Sequence, residues 1–250
     1  MSLNFIDISS WQTGINLEAL FAQNPLDGVI VKATEGLNYV NPECDKWVQW
    51  LIRNKKPWGF YHFLNATDPV AEAKRFVKDT INYFGDGVPV ADYEGTIVSA
   101  YGTYYLKRFL DTVYSETGVQ PLVYCNLSTI QNDVNGFRSI AEDGFQLWLA
   151  QYATMNPTGF LPNPWQKGSV QPFKKITMHQ YTASGKLNGF SGALDLDIFY
   201  GTAENWRELA GEKEKPAPEP SEDWLQDWID YLEDEKSRIQ AKIDELKRRQ

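Results

Sequence analysis

Short apolar segments recur along the chain, and amphipathic helical patterns separate the early ones. Eight segments have the length and composition of buried strands, at 5–9, 28–33, 58–63, 88–94, 121–125, 145–152, 175–181 and 193–199. Apolar residues at three- and four-residue spacing predict helices within 16–23, 42–56, 68–85 and 99–118. Asp68 and Ser99 are candidate N-caps, and Gly85 and Gly118 are candidate helix ends. This alternation predicts parallel strands joined by right-handed crossovers.

Eight strand units point to a barrel that closes on itself. We therefore predict an α/β fold, an irregular (β/α)8-like barrel with helices missing after the later strands. The irregularity comes late because the connection 153–174 contains four prolines and the connection 182–192 is too short for a crossover helix. A doubly wound open sheet is the alternative, but it needs a helix after nearly every strand.

The composition changes near residue 211, which predicts the end of the barrel domain, 1–211. Residues 212–221 carry Pro216, Pro218 and Pro220 among charges, which is typical of a semi-rigid linker. Residues 222–250 contain neither Gly nor Pro and predict a single amphipathic C-terminal helix. An isolated helix cannot bury its own apolar stripe, so we expect self-association into a homo-oligomer. Packing against the barrel and binding of another molecule are the alternatives.

Charge and cysteine usage exclude several classes of protein. A net charge of −9 and a pI near 4.8 argue against a nucleic-acid partner. No membrane insertion is expected, since no run of about 18 apolar residues occurs, and the N-terminus lacks the pattern of a signal peptide. Cys44 and Cys125 have no C-x-x-C companions, which predicts two buried thiols and no metal or cofactor.

The fourth predicted strand ends in an unusual pair of acids, Asp92 and Glu94. Side chains alternate across a strand, so both acids are expected on one face and Tyr93 on the other. Like charges that close raise at least one pKa, which suits proton transfer.

Polar residues also end the other predicted strands. They are Asp7, Lys32 with Glu35, Tyr61 with His62, Tyr124, Gln151 with Tyr152, Gln180 with Tyr181, and Asp195 with Asp197. In a parallel barrel, the carboxyl ends of the strands meet at one face and carry the active site. No G-x-S-x-G elbow occurs, and the only histidines are His62 and His179. Carboxylates with aromatic side chains favour cleavage of a glycosidic bond.

Six motifs occur in the order and spacing typical of one enzyme family. FIDISSWQ, VIVKATEG, GFYHF, ADYEG, LWLAQY and HQYTASGKLNGFSGALDLDIF resemble glycoside hydrolase family 25, the Chalaropsis-type lysozymes of phage endolysins and bacterial autolysins. The resemblance covers about residues 4–208 and implies an irregular β/α barrel. It also implies that Glu94 is the general acid and Asp92 its partner, with Asp7 and Asp195 completing an acidic ring. The implied mechanism is retaining, with the N-acetyl group of the substrate as nucleophile.

Nine further residues are candidate substrate contacts: Tyr61, Tyr124, Trp148, Gln151, Tyr152, Gln180, Lys32, Glu35 and Asp197. Lys32 and Glu35 fit either a ligand contact or a salt bridge at the rim, and His62 fits a structural role. Trp11 and Trp165 fit either packing or a sugar platform. Two positions depart from the family, which usually has Asn at the position of Asp197 and often Trp at that of His179. Asp197 is expected either to raise neighbouring pKa values or to point into solvent.

The resemblance implies an N-acetylmuramidase whose partner is bacterial peptidoglycan. The expected bond is the β-1,4 linkage between N-acetylmuramic acid and N-acetylglucosamine. Lacking a signal peptide pattern, such a phage endolysin would be made in the host cytoplasm and released through a holin. A chitin-type endoglycosidase and a non-catalytic glycan-binding module are the alternatives.

Overall fold

The computed structural model describes residues 1–211 and, beyond them, the five residues Glu233, Lys236, Gln240, Asp244 and Lys247. The chain divides into two compact units, Met1–Glu212 and Lys213–Gln250. The five separate residues are helical and exposed. The predicted linker, 212–221, and the rest of the predicted helix, 222–250, lie outside the described residues, so self-association through that helix stays a prediction.

Eight strands form the predicted closed barrel. In order around it they are β1 (Leu3–Ile8), β2 (Gly28–Glu35), β4 (Trp58–Phe63), β5 (Val88–Asp92), β6 (Leu122–Asn126), β7 (Leu147–Ala150), β8 (Ile176–Gly185) and β9 (Leu194–Phe199). The ring closes because β1 pairs with β2 on one side and with β9 on the other. A ninth strand, β3 (Tyr39–Val40), pairs with β2 outside the ring.

The helices lie mainly after the early strands. They are α1 (Leu17–Gln23), α2 (Cys44–Arg53), α3 (Pro69–Thr80), α4 (Thr96–Thr117), α5 (Leu127–Asn132), α6 (Val134–Glu142) and α7 (Ala203–Ala210). The connections from β7 to β8 and from β8 to β9 contain no helix, as predicted. Among the described residues, no helix is both long and apolar enough to span a membrane.

Helix boundaries are predicted correctly at some ends and wrongly at others. The carboxylate of Asp68 accepts hydrogen bonds from the backbone N–H groups of Val70 and Ala71, and Gly118 ends α4 with φ +71°. The predicted cap at Ser99 is wrong, since α4 begins earlier, with Gly95 as N-cap. Gly85 does not end α3, which gives way to a 3-10 helix at Ile81–Tyr83. The sequence patterns do not predict helices α5, α6 and α7.

The last strand runs opposite to its neighbours, which corrects the prediction of parallel strands throughout. β9 is antiparallel to both β8 and β1, while the other adjacent barrel strands are parallel. The physical reason is the short connection before it, because a hairpin reverses the chain whereas a parallel strand needs a crossover. The start of β9, and not its end, therefore lies at the carboxyl ends of the other strands.

Trp206 of α7 closes the end of the barrel opposite the strand carboxyl ends. Its side chain is 1% exposed, and its indole N–H donates to the carbonyl of Trp58 at 3.0 Å. The ring packs on Phe5 and Phe199 with centroid distances of 4.3 and 4.9 Å. The interior above is filled by apolar side chains such as Ile30 and Val90. The barrel is thus a packed core that is open to ligands at one end.

The two cysteines, Cys44 and Cys125, are free and buried, as expected. Burial raises the pKa of the Cys44 thiol to about 12. A thiol in such an environment stays protonated and unreactive.

Candidate active site

One pocket of about 220 Å³ lies at the carboxyl ends of the parallel strands. Its lining consists of nine residues, all predicted from the sequence: Asp7, Tyr61, Asp92, Glu94, Tyr124, Trp148, Tyr152, Gln180 and Asp195. These residues lie on, or directly after, every barrel strand except β2. Four acids and five aromatic or amide side chains therefore converge from distant parts of the chain.

Asp92 and Glu94 reach the pocket as the alternation of side chains predicts. Tyr93 between them is 1% exposed and packs against Phe137 on the outer side of the barrel. Its backbone N–H donates to the carbonyl of Tyr124 at 2.9 Å, which continues the sheet pairing past the end of β5. Gly95 follows with φ +69°, a conformation that glycine adopts at little cost, and turns the chain into α4.

Burial and mutual repulsion raise the pKa values of the acids in the pocket. Burial raises the pKa of Asp92 well above its usual range, and the nearby Glu94 and Asp7 add to the effect. Burial also raises the pKa of Glu94, while the charge of Lys32 opposes it. Burial and the charge of Glu94 raise the pKa of Asp195 to about 6. The site thus contains carboxyl groups that can hold a proton near neutral pH.

Asp92 has a second unusual property. Its side chain is 8% exposed, and its Oδ1 atom accepts no hydrogen bond from any residue that the structure describes. A buried carboxylate oxygen without a donor is costly, and such atoms are rare in folded proteins. Oδ1 is itself inaccessible, but the Asp92 side chain also lines the pocket, where its carboxyl group can accept a hydrogen bond from a ligand.

Gln180 links two tyrosines to Asp7. Its Oε1 atom accepts hydrogen bonds from the hydroxyl of Tyr124, at 2.8 Å, and from that of Tyr152. Its Nε2 atom donates to Oδ2 of Asp7 at 2.7 Å. With both ends of the amide engaged, Gln180 holds Asp7 and both phenol rings in fixed positions.

Asp197 lies beneath the pocket and does not line it. It is fully buried, so the expectation that it points into solvent is wrong. Its Oδ1 atom accepts a hydrogen bond from the indole N–H of Trp148 at 2.9 Å. Burial, and the charges of Asp7 and Asp195, raise its pKa well above the usual range of an aspartate.

Three other predicted substrate contacts lie outside the pocket lining. The Lys32 ammonium forms a salt bridge of 2.6 Å with Glu35, which was one of the two expected arrangements. Gln151 holds the loop after β7, because its side chain donates to the carbonyl of Lys167 at 2.7 Å and accepts from the N–H of that residue at 3.0 Å. Lys32 still acts on the pocket through its charge, which lowers the pKa values of Asp92 and Glu94.

His62 is structural, as expected, and points away from Tyr61. Its Nδ1 atom lies 2.7 Å from the hydroxyl of Thr34, and its Nε2 atom lies 3.1 Å from Oε1 of Glu72. Glu72, which is also fully buried, accepts further hydrogen bonds from the N–H of Asn65 at 2.7 Å and from the hydroxyl of Tyr105. This network ties β4 to α3 and α4 behind the pocket.

His179 and two exposed tryptophans complete the sequence candidates. His179 is buried and donates from Nε2 to the carbonyl of Gln151 at 2.8 Å. Trp11 is 90% exposed and Trp165 is 48% exposed, so the packing alternative does not hold for Trp11.

Within the described part of the chain, no three His, Cys, Asp or Glu side chains are arranged to hold a metal ion.

Comparison with known sequences identifies the family. The model of the glycosyl hydrolases family 25 matches residues 6–190, most of the barrel. The chain belongs to this family. This chain is 29% identical over 196 residues to the "Autolytic lysozyme" of Clostridium acetobutylicum. The aligned region covers 78% of this chain and 55% of the Clostridium protein. The chain is 27% identical over 186 residues to the "Lysozyme" of Streptococcus phage Cp-1, over 68% of this chain and 52% of the phage protein.

The present chain thus spans about half the length of these two curated relatives. Its fold resembles the crystal structure of the bacterial lysozyme from Streptomyces coelicolor, with a TM-score of 0.70 at 23% identity. The match covers 84% of this chain and 97% of the Streptomyces chain. At this identity the likeness establishes the barrel fold.

Proposed function

We propose that this protein is an N-acetylmuramidase that cleaves the β-1,4 bond between N-acetylmuramic acid and N-acetylglucosamine in bacterial peptidoglycan. The observation that carries the proposal is the convergence of Asp92 and Glu94 with Asp7 and Asp195 in one pocket. Membership of family 25 supports it, as do the lysozyme names of the two curated relatives. The pocket combines carboxyl groups with phenol and indole rings, as a site for a sugar chain requires.

Glu94 acts as the general acid. It is only partly buried, so it can reach a substrate in the pocket, and burial raises its pKa toward the range in which a carboxyl group stays protonated. Its proton goes to the glycosidic oxygen as the bond to the anomeric carbon breaks. The same carboxylate then takes a proton from the water that completes hydrolysis.

Asp92 orients the N-acetyl group of the substrate. The amide N–H of that group donates to the carboxylate of Asp92 where it lines the pocket, and this contact directs the acetamido oxygen to the anomeric carbon. An oxazolinium ring forms as the leaving group departs, and water opens it on the face that the leaving group occupied. The configuration of the sugar is therefore retained.

The relatives also suggest a biological setting. One curated relative is a phage protein, which supports an endolysin that lyses the host. Such an enzyme acts on the cell wall after synthesis in the host cytoplasm and release through a holin. Peptidoglycan is then the partner of the barrel.

The test is digestion of purified peptidoglycan by the wild type and by Glu94→Gln, followed by identification of the new reducing ends. We expect muramic acid ends from the wild type and a rate at least ~100-fold lower from the variant, as removal of a general acid predicts. Glucosamine ends would instead indicate a chitin-type endoglycosidase. No release by either protein would indicate a glycan-binding module.

Self-association through residues 222–250 is a separate proposal. Light scattering on the full chain and on residues 1–211 tests it. A full chain with twice the mass expected for a monomer, beside a monomeric 1–211, supports it. Two monomers would rule it out.

A further inference from the structure

Two buried carboxyl groups contact each other below the pocket. Asp7 on β1 is 7% exposed, and Asp197 on β9 is fully buried. Their side chains come from adjacent antiparallel strands and lie within hydrogen-bonding distance of each other. Two ionised carboxylates in contact inside a protein repel strongly, so one proton between them is the stable arrangement.

The surrounding donors leave one oxygen of Asp197 for that proton. Oδ1 of Asp197 accepts from the indole of Trp148 at 2.9 Å, and Oδ2 of Asp7 accepts from Gln180 at 2.7 Å. Oδ2 of Asp197 is buried and receives no hydrogen bond from the described N–H and O–H groups. A protonated Oδ2 would become a donor, and the carboxyl group of Asp7 is within its reach.

The other titratable groups that face Asp197 do not supply a positive charge. Asp195 lies on the same strand, and its charge opposes ionisation of Asp197. The phenols of Tyr152, after β7, and Tyr181, on β8, are near enough for the charge of Asp197 to raise their pKa values. The two acids thus favour a neutral Asp197, and the phenols, whose pKa values burial raises, stay protonated and bring no charge.

We propose that Asp197 is a positioning residue that carries a proton on Oδ2 and donates it in a hydrogen bond to Asp7, which remains the ionised member of the pair. Burial and the charge of Asp195 raise the pKa of Asp7 well above its usual range, and the hydrogen bonds with Gln180 and Asp197 oppose that rise, whereas burial and both contacts with Asp7, its charge and its hydrogen bond, raise the pKa of Asp197. Asp7 is also the member that lines the pocket. Asp7 therefore presents a negative charge to the pocket, and its carboxylate accepts hydrogen bonds from both Gln180 and Asp197.

The inference deepens the proposed function, and its catalytic part rests on that function. Asp197→Asn keeps a donor at this position without a titratable group, whereas Asp197→Val keeps a similar shape without a donor. Asp86→Asn changes an exposed aspartate outside the pocket and is the matched control. Infrared spectroscopy at neutral pH detects the C=O stretch of a protonated carboxyl group, and kinetics on peptidoglycan measure the consequence.

We expect the protonated carboxyl absorption of the wild type and of Asp86→Asn to contain one component that is lost in Asp197→Asn, while the contribution of Glu94 remains. We expect kcat of Asp197→Asn within about threefold of the wild type and kcat of Asp197→Val ten- to a hundredfold lower, with KM nearly unchanged, because a charge-assisted hydrogen bond is lost. An unchanged band in Asp197→Asn would overturn the inference, as would equal losses of kcat in both folded variants. The infrared result is independent of turnover, so a protein inactive on peptidoglycan would fail the proposed function alone.

Discussion

The side-chain amide of Gln180 donates a hydrogen bond of 2.7 Å to Oδ2 of Asp7, across the barrel mouth from β8 to β1. The two residues are 173 positions apart in the sequence. Their contact requires closure of the barrel by β9, which lies between the two strands. The position of Asp7 is therefore a property of the closed barrel.

Gln180→Leu should lower kcat on peptidoglycan by about ten- to a hundredfold. The substitution removes a donor to the Asp7 carboxylate and leaves the hydroxyls of Tyr124 and Tyr152 without their acceptor. Steady-state kinetics measure the effect. Gln49→Leu, on the exposed face of α2, is the control and should keep full activity. Normal kcat in Gln180→Leu would show that this hydrogen bond does not support catalysis.

Lys32→Gln should move the alkaline limb of the pH profile of kcat/KM upward, by up to about one pH unit. The charge of Lys32 lowers the pKa of Glu94, so its removal lets Glu94 keep its proton to higher pH. The profile measured on peptidoglycan decides the sign. Lys46→Gln breaks an exposed salt bridge of 3.2 Å to Glu43 and should leave the profile unchanged. A downward shift in Lys32→Gln would contradict the assignment of Glu94 as the acid.

Asp195→Asn should stabilise the fold at neutral pH while it reduces activity. The pKa of Asp195 is about 6 in the folded chain, against about 3.9 in an unfolded chain. The folded state thus binds the proton more tightly, and the wild type loses stability as the pH rises from about 4 through 6. The variant avoids this loss, and its advantage in the free energy of unfolding should grow to on the order of 1–2 kcal/mol at pH 7.

Denaturant unfolding at pH 4 and pH 7 measures that advantage. Glu116→Gln, on the exposed surface of α4, should show no comparable change between the two pH values. An advantage of Asp195→Asn that is equal at both pH values would have another cause than ionisation.

Tyr105→Phe should destabilise the protein by about 1–3 kcal/mol, because it removes one donor from the buried carboxylate of Glu72. The free energy of unfolding measures the loss. Tyr104→Phe is a matched control on the same helix, since Tyr104 is 73% exposed and should change stability by less than about 0.5 kcal/mol. Equal effects of the two substitutions would mean that the Glu72 network contributes little.

Sequence patterns predict the barrel and its lining well because both follow from local regularities. Apolar runs place the strands, and alternation along β5 places Asp92 and Glu94 on one face. Apolar runs and alternation do not give the direction of β9, but the short connection 182–192 does, because it leaves no room for the crossover that a parallel strand needs. Asp195 lies at the expected face of the barrel, but near the start of its strand and not at its end.

Helix starts and side-chain partners are harder to predict. Ser99 is a better N-cap by residue type than Gly95, but the turn after Glu94 requires a positive φ and so fixes the start of α4. The contacts of Asp197 with Trp148 and Asp7 join three strands that are distant in the sequence. No local pattern encodes such contacts, because they depend on how the barrel closes.

The antiparallel docking of β9 has a consequence for the order in which activity is acquired. Asp195 and Asp197 arrive on the final strand, so a ribosome-bound chain that stops before residue 194 has Asp7, Asp92 and Glu94 but lacks the other two acids. Such a chain also leaves the edges of β1 and β8 open to other strands. The barrel can therefore close, and the pocket can gain its complete set of acids, only after nearly the whole barrel has been synthesised.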